Sequence, residues 1–167
     1  MARRAALPFA HPVSLIATWF GAGLLPKVPG TWGSLAALPF AAVIAWLGGP
    51  WALLVASLIA CLVGIWAGGR YAEAAQSEDP GAVVIDEVAG QWLTLVPAAL
   101  DPLLFLLGFL TFRVLDIVKP WPASWCDRAL HGGVGIMLDD MVAGLYAGAL
   151  CALVAYWLEM GLFSPAL

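Results

Sequence analysis

From Trp51 to Gly69 the chain reads WALLVASLIACLVGIWAGG, with no charged side chain. A helix crosses the hydrocarbon core of a bilayer with about 20 such residues, and in lipid a helix satisfies its own backbone polar groups. This run therefore predicts a membrane-spanning helix, and the sequence on either side repeats the pattern. Upstream, the turn at Lys27-Val28-Pro29-Gly30, with Thr31 or Ser34 as cap, opens a helix near Leu35 that ends at Gly48-Gly49-Pro50. Before it, Pro12 to Leu25 is apolar but short and glycine-bearing, which predicts an interfacial or re-entrant helix in place of a span. Downstream, a hydrophilic loop from Arg70 to Gly81 leads to helices over Val83 to Leu100 and Pro102 to Val118, divided by the Asp101-Pro102 turn. Lys119-Pro120-Trp121-Pro122 stops the fourth helix, because proline has no amide donor and disfavours helix in the residue before it. A polar connector through Asp127, Arg128, His131 and Gly132-Gly133-Val134-Gly135 then reaches a last helix, Leu138 to Leu158, that begins with Asp139-Asp140.

The composition agrees with this reading. Of 167 residues 63% are hydrophobic and 11% charged, and the mean hydropathy is +0.94, too apolar for a water-soluble domain. The expected fold is an all-α integral membrane protein, a compact bundle of about five transmembrane helices with an N-terminal interfacial or re-entrant helix, residues 1–167 forming one membrane-embedded domain. A net charge of -4 and no basic stripe argue against nucleic acid as a partner. Cys61, Cys126 and Cys151 are widely spaced and odd in number, which suggests neither a disulfide framework nor a zinc site. Arg3-Arg4 resembles the start of a secretory signal, but His11-Pro12 interrupts the apolar stretch and no clean cleavage pattern follows, so the segment is expected to remain.

Threading five helices from an inside N-terminus places all seven basic residues, Arg3, Arg4, Lys27, Arg70, Arg113, Lys119 and Arg128, on one side. Basic residues concentrate in cytoplasmic loops, so that side is read as the cytoplasm. Charges also enter the helices: Asp86 and Glu87 in the third, Arg113 and Asp116 in the fourth, Asp139 and Asp140 in the fifth. Such groups are costly in hydrocarbon and persist where they pair, bind ions or face the bundle interior. Short aspartate side chains cannot reach far toward water, and two adjacent acidic pairs at one depth repel unless cations neutralise them.

Hard carboxylate oxygens suit Mg2+, which completes its coordination with water and phosphate oxygens. Asp86, Glu87, Asp139 and Asp140 are the expected ligands. Lys27, Thr31, Ser34, Arg113, Lys119, Arg128 and His131 are candidates to bind a phosphate, and Asp116 either orients a water or fixes Arg113 at the i, i+3 spacing. The residues for a phosphocysteine intermediate, or an Asp-x-Asp aspartyl-phosphate motif, are missing. Together these features point to hydrolysis of a lipid-linked phosphate at a membrane face. The alternative is a transporter or cation channel using intramembrane carboxylates, which calls for charges spread through membrane depth, whereas here the far halves of the helices carry almost none.

Several motifs also stand in the order of a known family: Pro29-Gly30-Thr31-Trp32-Gly33-Ser34; Asp86-Glu87 followed by Gly90; Arg113 to Asp116 with Lys119-Pro120-Trp121-Pro122; and Asp127-Arg128 through His131-Gly132-Gly133 to Asp139-Asp140. From about His11 to Leu158 the chain resembles phosphatidylglycerophosphatase A. The resemblance implies a Mg2+-dependent, multi-pass enzyme of the bacterial inner membrane with its site facing the cytoplasm. Its expected partners are the bilayer and the phospholipid phosphatidylglycerol phosphate, which it would convert to phosphatidylglycerol and inorganic phosphate. The oligomeric state is left open.

Overall fold

A computed structural model describes residues 7–159, so Arg3 and Arg4 lie outside the described residues. Within them the chain is all-helical, with no strand. Helix α1 is Pro12–Ala17, α2 is Pro29–Ala75, α3 is Ile85–Leu95, α4 is Pro102–Val118, α5 is Ala123–Ala129 and α6 is Gly132–Glu159, with 3-10 turns at Ala22–Leu24 and Val96–Ala98.

Helix α2 holds two of the expected helices. Its continuity is broken at Gly49, whose φ of 69° and ψ of -166° belong to a region open almost solely to glycine, and Pro50 follows without an amide to donate. The contacts on α3 show that the two limbs run in opposite directions. Along the first limb, Gly33 lies against Val84, and the carbonyl of Ala37 accepts from Trp92 Nε1 at 3.0 Å. Along the second, Ser57 Oγ donates to the carbonyl of Ala89 at 2.8 Å, and Gly64 lies against Ile85 and Met137. Contacts climb α3 and then descend it.

Helix α4 descends α3, with Gly108 against Leu95 and Thr94 and then Phe112 against Gly90. Helix α6 climbs it, from Asp140 beside Gly90 to Gly148 beside Leu93 and Thr94. The closest approach is between Gly90 and Gly144. A Cβ on Gly144 would lie 2.5 Å from the Gly90 carbonyl oxygen, and one on Gly90 would lie 2.6 Å from that of Asp140. Thr94 Oγ1 ties the seam, bonding to the carbonyls of Gly90 at 2.9 Å and Gly144 at 3.3 Å. Gly144 and Gly148 are spaced as in glycine-mediated helix pairs, where the missing side chains let backbones touch. This topology gathers the start of α2, the end of its second limb, the start of α3, the end of α4, α5 and the start of α6 at one end of the bundle. Gly49, Asp101 and Glu159 fall at the other.

Several expectations are corrected. Among the described residues two helices, α2 and α6, are long and apolar enough to cross a membrane, against the five expected, because the first two are joined through Gly49 while α3 has 11 residues and α4 has 17. The N-terminal helix is short, Pro12–Ala17, with the 3-10 turn completing the segment. Helix α2 starts at Pro29 and has no side-chain cap: Ser34 Oγ donates back to the Gly30 carbonyl at 3.0 Å, so neither Thr31 nor Ser34 caps it. Arg70 to Ala75 are still helix, which shortens the expected loop. Helix α6 begins at Gly132, so Asp139 and Asp140 sit two turns inside it, and the glycines of the connector belong to its first turn.

The Gly90 to Gly144 seam generates a test. Gly144→Ala should cost about 1–3 kcal/mol through overpacking, a fall in Tm of roughly 2–12 °C for a chain of this size. Gly81→Ala, where an added Cβ meets nothing within 4 Å, should leave Tm unchanged. Thermal unfolding of the three proteins in detergent micelles decides the matter.

Candidate active site

The polar end of the bundle holds a cleft of about 240 Å3. Helix α1 helps to place one wall: the Val84 amide donates to the Ala17 carbonyl at 2.8 Å, which fixes where α3 begins. Asp86 and Glu87 then fall in the first turn of α3, where the helix dipole favours negative charge. The glycine seam brings α6 alongside, and the result is a cluster of Asp86, Glu87 and Asp140 whose ligand oxygens all lie within 4.8 Å of one another. Asp139 and Asp140 are buried on α6, and Asp86 Oδ1, Glu87 Oε2, Asp139 Oδ1 and Asp140 Oδ2 are buried with no hydrogen-bond partner. Three carboxylates converging this closely, on a wall that also holds buried unpaired acceptors, offer the hard oxygen atoms that Mg2+ prefers, so the residues present fit that ion.

Two cations of the protein answer these charges. Lys119 ends α4 in the left-handed conformation, with φ of 46°, and Pro120 follows to prevent the helix from continuing. Tyr146 Oη on α6 donates to the Trp121 carbonyl at 3.1 Å, tying this turn to the bundle. The Lys119 ammonium donates to Asp139 Oδ2 at 2.6 Å and to Asp127 Oδ1. Burial works against its charge, but the hydrogen bonds and negative charges of Asp127 and Asp139 outweigh it and raise the ammonium above its ordinary value, so it is protonated throughout the physiological range. Arg113, one helical face away, forms an ion pair with Asp116 at 2.8 Å, approaches Glu87 at 3.7 Å and donates to Ser34 Oγ at 3.2 Å. The proposed ion bridge from Arg113 to Asp116 is therefore present.

Of the residues expected from sequence, Asp86, Glu87, Asp116, Lys119, His131, Asp139 and Asp140 line the cleft. Arg113 and Ser34 do not line it: Arg113 reaches the Asp116 and Glu87 carboxylates from α4, and Ser34 on α2 touches Arg113 and no carboxylate. Lys27, Thr31 and Arg128 do not line it, and Lys27 and Arg128 are exposed. Pro29 and Gly30 do line it, so α2 presents its N-terminus to the cleft, an arrangement suited to an anion. A Cβ at Gly30 would meet Glu87 Oε1 and Arg113 Nη2, so a larger residue there would displace those two side chains. Three lining carboxylates were not among the expected site residues. Asp127 is delivered by α5, and the signal was its place just past the Pro-Trp-Pro turn from Lys119. Glu78 and Asp79 come from the loop between α2 and α3, whose sequence shows only that it is hydrophilic.

Comparison with known proteins fits this geometry. The profile of the family described as Phosphatidylglycerophosphatase A matches residues 15–155. A phosphatidylglycerophosphatase A of Escherichia coli (strain K12) is 40% identical over 95% of this chain and 92% of its own length. One of Haemophilus influenzae is 34% identical over 89% and 91%. A Bacteroides thetaiotaomicron protein, 36% identical over 86% and 92%, is named provisionally as a phosphatidylinositol-3-phosphatase. No solved structure matches the chain. An all-helical scaffold with carboxylates and a lysine around one cleft, together with these relatives, defines a phosphatase that acts on a phosphate monoester. The chain belongs to the phosphatidylglycerophosphatase A family.

Lys119→Met should strip Asp139 of its partner and leave a buried charge uncompensated, a loss of about 3 kcal/mol or roughly 6–12 °C in Tm. Arg128→Met, at an exposed site without an ion pair among those of the described residues, should stay within about 0.5 kcal/mol of the parent. Equal losses in the two melting curves would show that the Lys119 pair does not hold the site.

Proposed function

We propose that this chain removes the terminal phosphate of phosphatidylglycerol phosphate, giving phosphatidylglycerol and inorganic phosphate, in a Mg2+-dependent reaction at the cytoplasmic face of the bacterial inner membrane. The observation that carries the reading is the convergence of the Asp86, Glu87 and Asp140 oxygens within 4.8 Å beside Lys119, in a chain whose relatives are named for this activity.

Asp86, Glu87 and Asp140, with Asp139 beside them, would hold Mg2+, which supplies neutralising charge and Lewis acidity next to the phosphate. Lys119 lies where it can turn one of its donors from Asp127 to a phosphate oxygen. The N-terminus of α2 adds a partial positive charge at Pro29 and Gly30. Asp116, held by Arg113 and facing the cleft, is the group placed to accept the proton of an attacking water. That water's oxygen bonds to phosphorus as the bond from phosphorus to the glycerol oxygen breaks in line, and His131 at the cleft wall is placed to return a proton to the leaving oxygen.

The membrane setting is supported by the outer surface. Trp46 and Trp51 are about three-quarters exposed at the end where α2 reverses, and Trp121 and Trp125 are exposed at the cleft end. Between them Leu62, Leu106, Val114, Leu145 and Leu153 face outward. Two tryptophan bands flanking an apolar girdle are the pattern of a bilayer-embedded bundle. Lys27, Arg70, Arg113, Lys119 and Arg128 all fall at the cleft end, a distribution that supports reading that end as cytoplasmic. The acyl chains can then stay in the bilayer while the head group enters the cleft. A transporter or channel finds no support, because no charged side chain lies along the helices between the cleft and Asp101.

Purified protein in detergent should release phosphate from phosphatidylglycerol phosphate with Mg2+ and stop in excess chelator; turnover that survives chelation refutes the metal assignment. Asp140→Asn should lower the rate about 100-fold or more, near 2.7 kcal/mol of transition-state stabilisation. Asp101→Asn should act as the parent does, since Asp101 sits at the opposite end, accepting from the amides of Leu103 and Leu104, and asparagine caps a helix as well. A reporter placed after Ala75 should be cytoplasmic and one at the C-terminus periplasmic; both on one side would overturn the threading.

A further inference from the structure

Gln91 lies wholly inside the molecule, with neither its amide nitrogen nor its oxygen bonded to any protein atom. A buried polar group without a partner is destabilising. Leucine or methionine would fill a similar volume on α3 with no such penalty. The proposed reaction gives Gln91 no task.

Its position suggests one. Gln91 follows Glu87 by four residues, so the two side chains share a face of α3 one turn apart, a spacing at which amides and carboxylates hydrogen-bond. Of the buried atoms without partners around Glu87, two lie on the pair that Arg113 and Glu87 form and would complement a carboxamide. One is Glu87 Oε2, an acceptor; the other is the Nε–H of Arg113, a donor, on a guanidinium that approaches the opposite oxygen of Glu87 at 3.7 Å. A carboxamide carries both complements, an NH2 that donates and a carbonyl that accepts. No apolar side chain does, and a carboxylate or an amine would supply one alone.

Resting on the reading of Asp86, Glu87 and Asp140 as the cation site, we infer that Gln91 is a positioning residue for it: when the site is loaded, its NH2 donates to Glu87 Oε2 and its carbonyl accepts from Arg113 Nε. The first bond fixes which oxygen of Glu87 faces the cation. The second holds Arg113 between Glu87 and Asp116. Hydrogen bonds of this kind behind a metal's ligands change metal affinity about 10–100-fold when removed.

The sequence makes the test clean, because the chain has two glutamines, Gln76 and Gln91, and no asparagine. Protein labelled with nitrogen-15 at glutamine side-chain amides alone, in detergent micelles, gives two NH2 pairs in a proton–nitrogen correlation spectrum. Gln76 is exposed in a left-handed conformation that asparagine tolerates, so Gln76→Asn removes the reference pair and assigns both. Mg2+ binding is followed in parallel by calorimetry, without substrate. On adding Mg2+ the Gln91 pair should move downfield and exchange more slowly with solvent while the Gln76 pair stays in place, and Gln91→Met should bind Mg2+ at least 10-fold more weakly with its Tm kept or raised. If calorimetry records Mg2+ binding while the Gln91 pair does not move, or if Gln91→Met binds Mg2+ as the parent does, the inference is overturned and the metal reading stands. If calorimetry records no binding, the metal reading fails and takes the inference with it.

Discussion

The rest of the structure depends on two backbones touching. Where α3 and α6 meet, Gly90 and Gly144 leave no room for a Cβ on either side, and Thr94 bonds to both carbonyls across the seam. The spacing of the carboxylate cluster is set by that contact. Asp86 and Glu87 lie one turn toward the polar end of α3 from Gly90, and Asp140 lies one turn toward the same end of α6 from Gly144. Separating the helices by the width of one methyl group would pull apart three carboxylates that share a 4.8 Å neighbourhood. The small residues at the seam thus set a distance between charges as well as a packing density.

Those charges carry an electrostatic cost that the protein offsets unevenly. Lys119 bonds to Asp139 and Asp127, and Arg113 pairs with Asp116 and leans on Glu87. Asp86 and Asp140 receive no ion pair from the described residues, and each keeps a buried oxygen unpaired. The two arginine and lysine positions divide the labour that sequence assigned to them jointly. Arg113, planar and forked, serves carboxylates behind the cleft, while Lys119, a point charge on a flexible stem, lines it.

Much of this was legible in the sequence because charge inside apolar helices is rare enough to be informative. Asp86, Glu87, Asp116, Lys119, Asp139 and Asp140 were marked by their surroundings alone, and the structure brings them to one cleft. Hydrophobic runs likewise located every long helix. What stayed hidden depends on tertiary contacts. Gly48-Gly49-Pro50 reads as an end, yet a single glycine conformation turns the chain while the helix resumes at once. Gly132-Gly133-Val134-Gly135 reads as a loop by propensity, but packing of Gly133 and Gly135 against backbone draws it into α6. Lys27 and Arg128 matched the right chemistry at the right end, but both are exposed and neither lines the cleft.

The carboxylate cluster joins α3 to α6, the helix that completes the described chain, with α2 packed on both. A chain cut before Asp140 therefore has two of the three carboxylates and lacks the third. The cluster is complete only with α6 packed on α3, and its like charges oppose that packing. A ligand that binds the completed cluster and not its parts would add its binding free energy to that packing. The carboxylate cluster would in that case also act as a latch between α3 and α6.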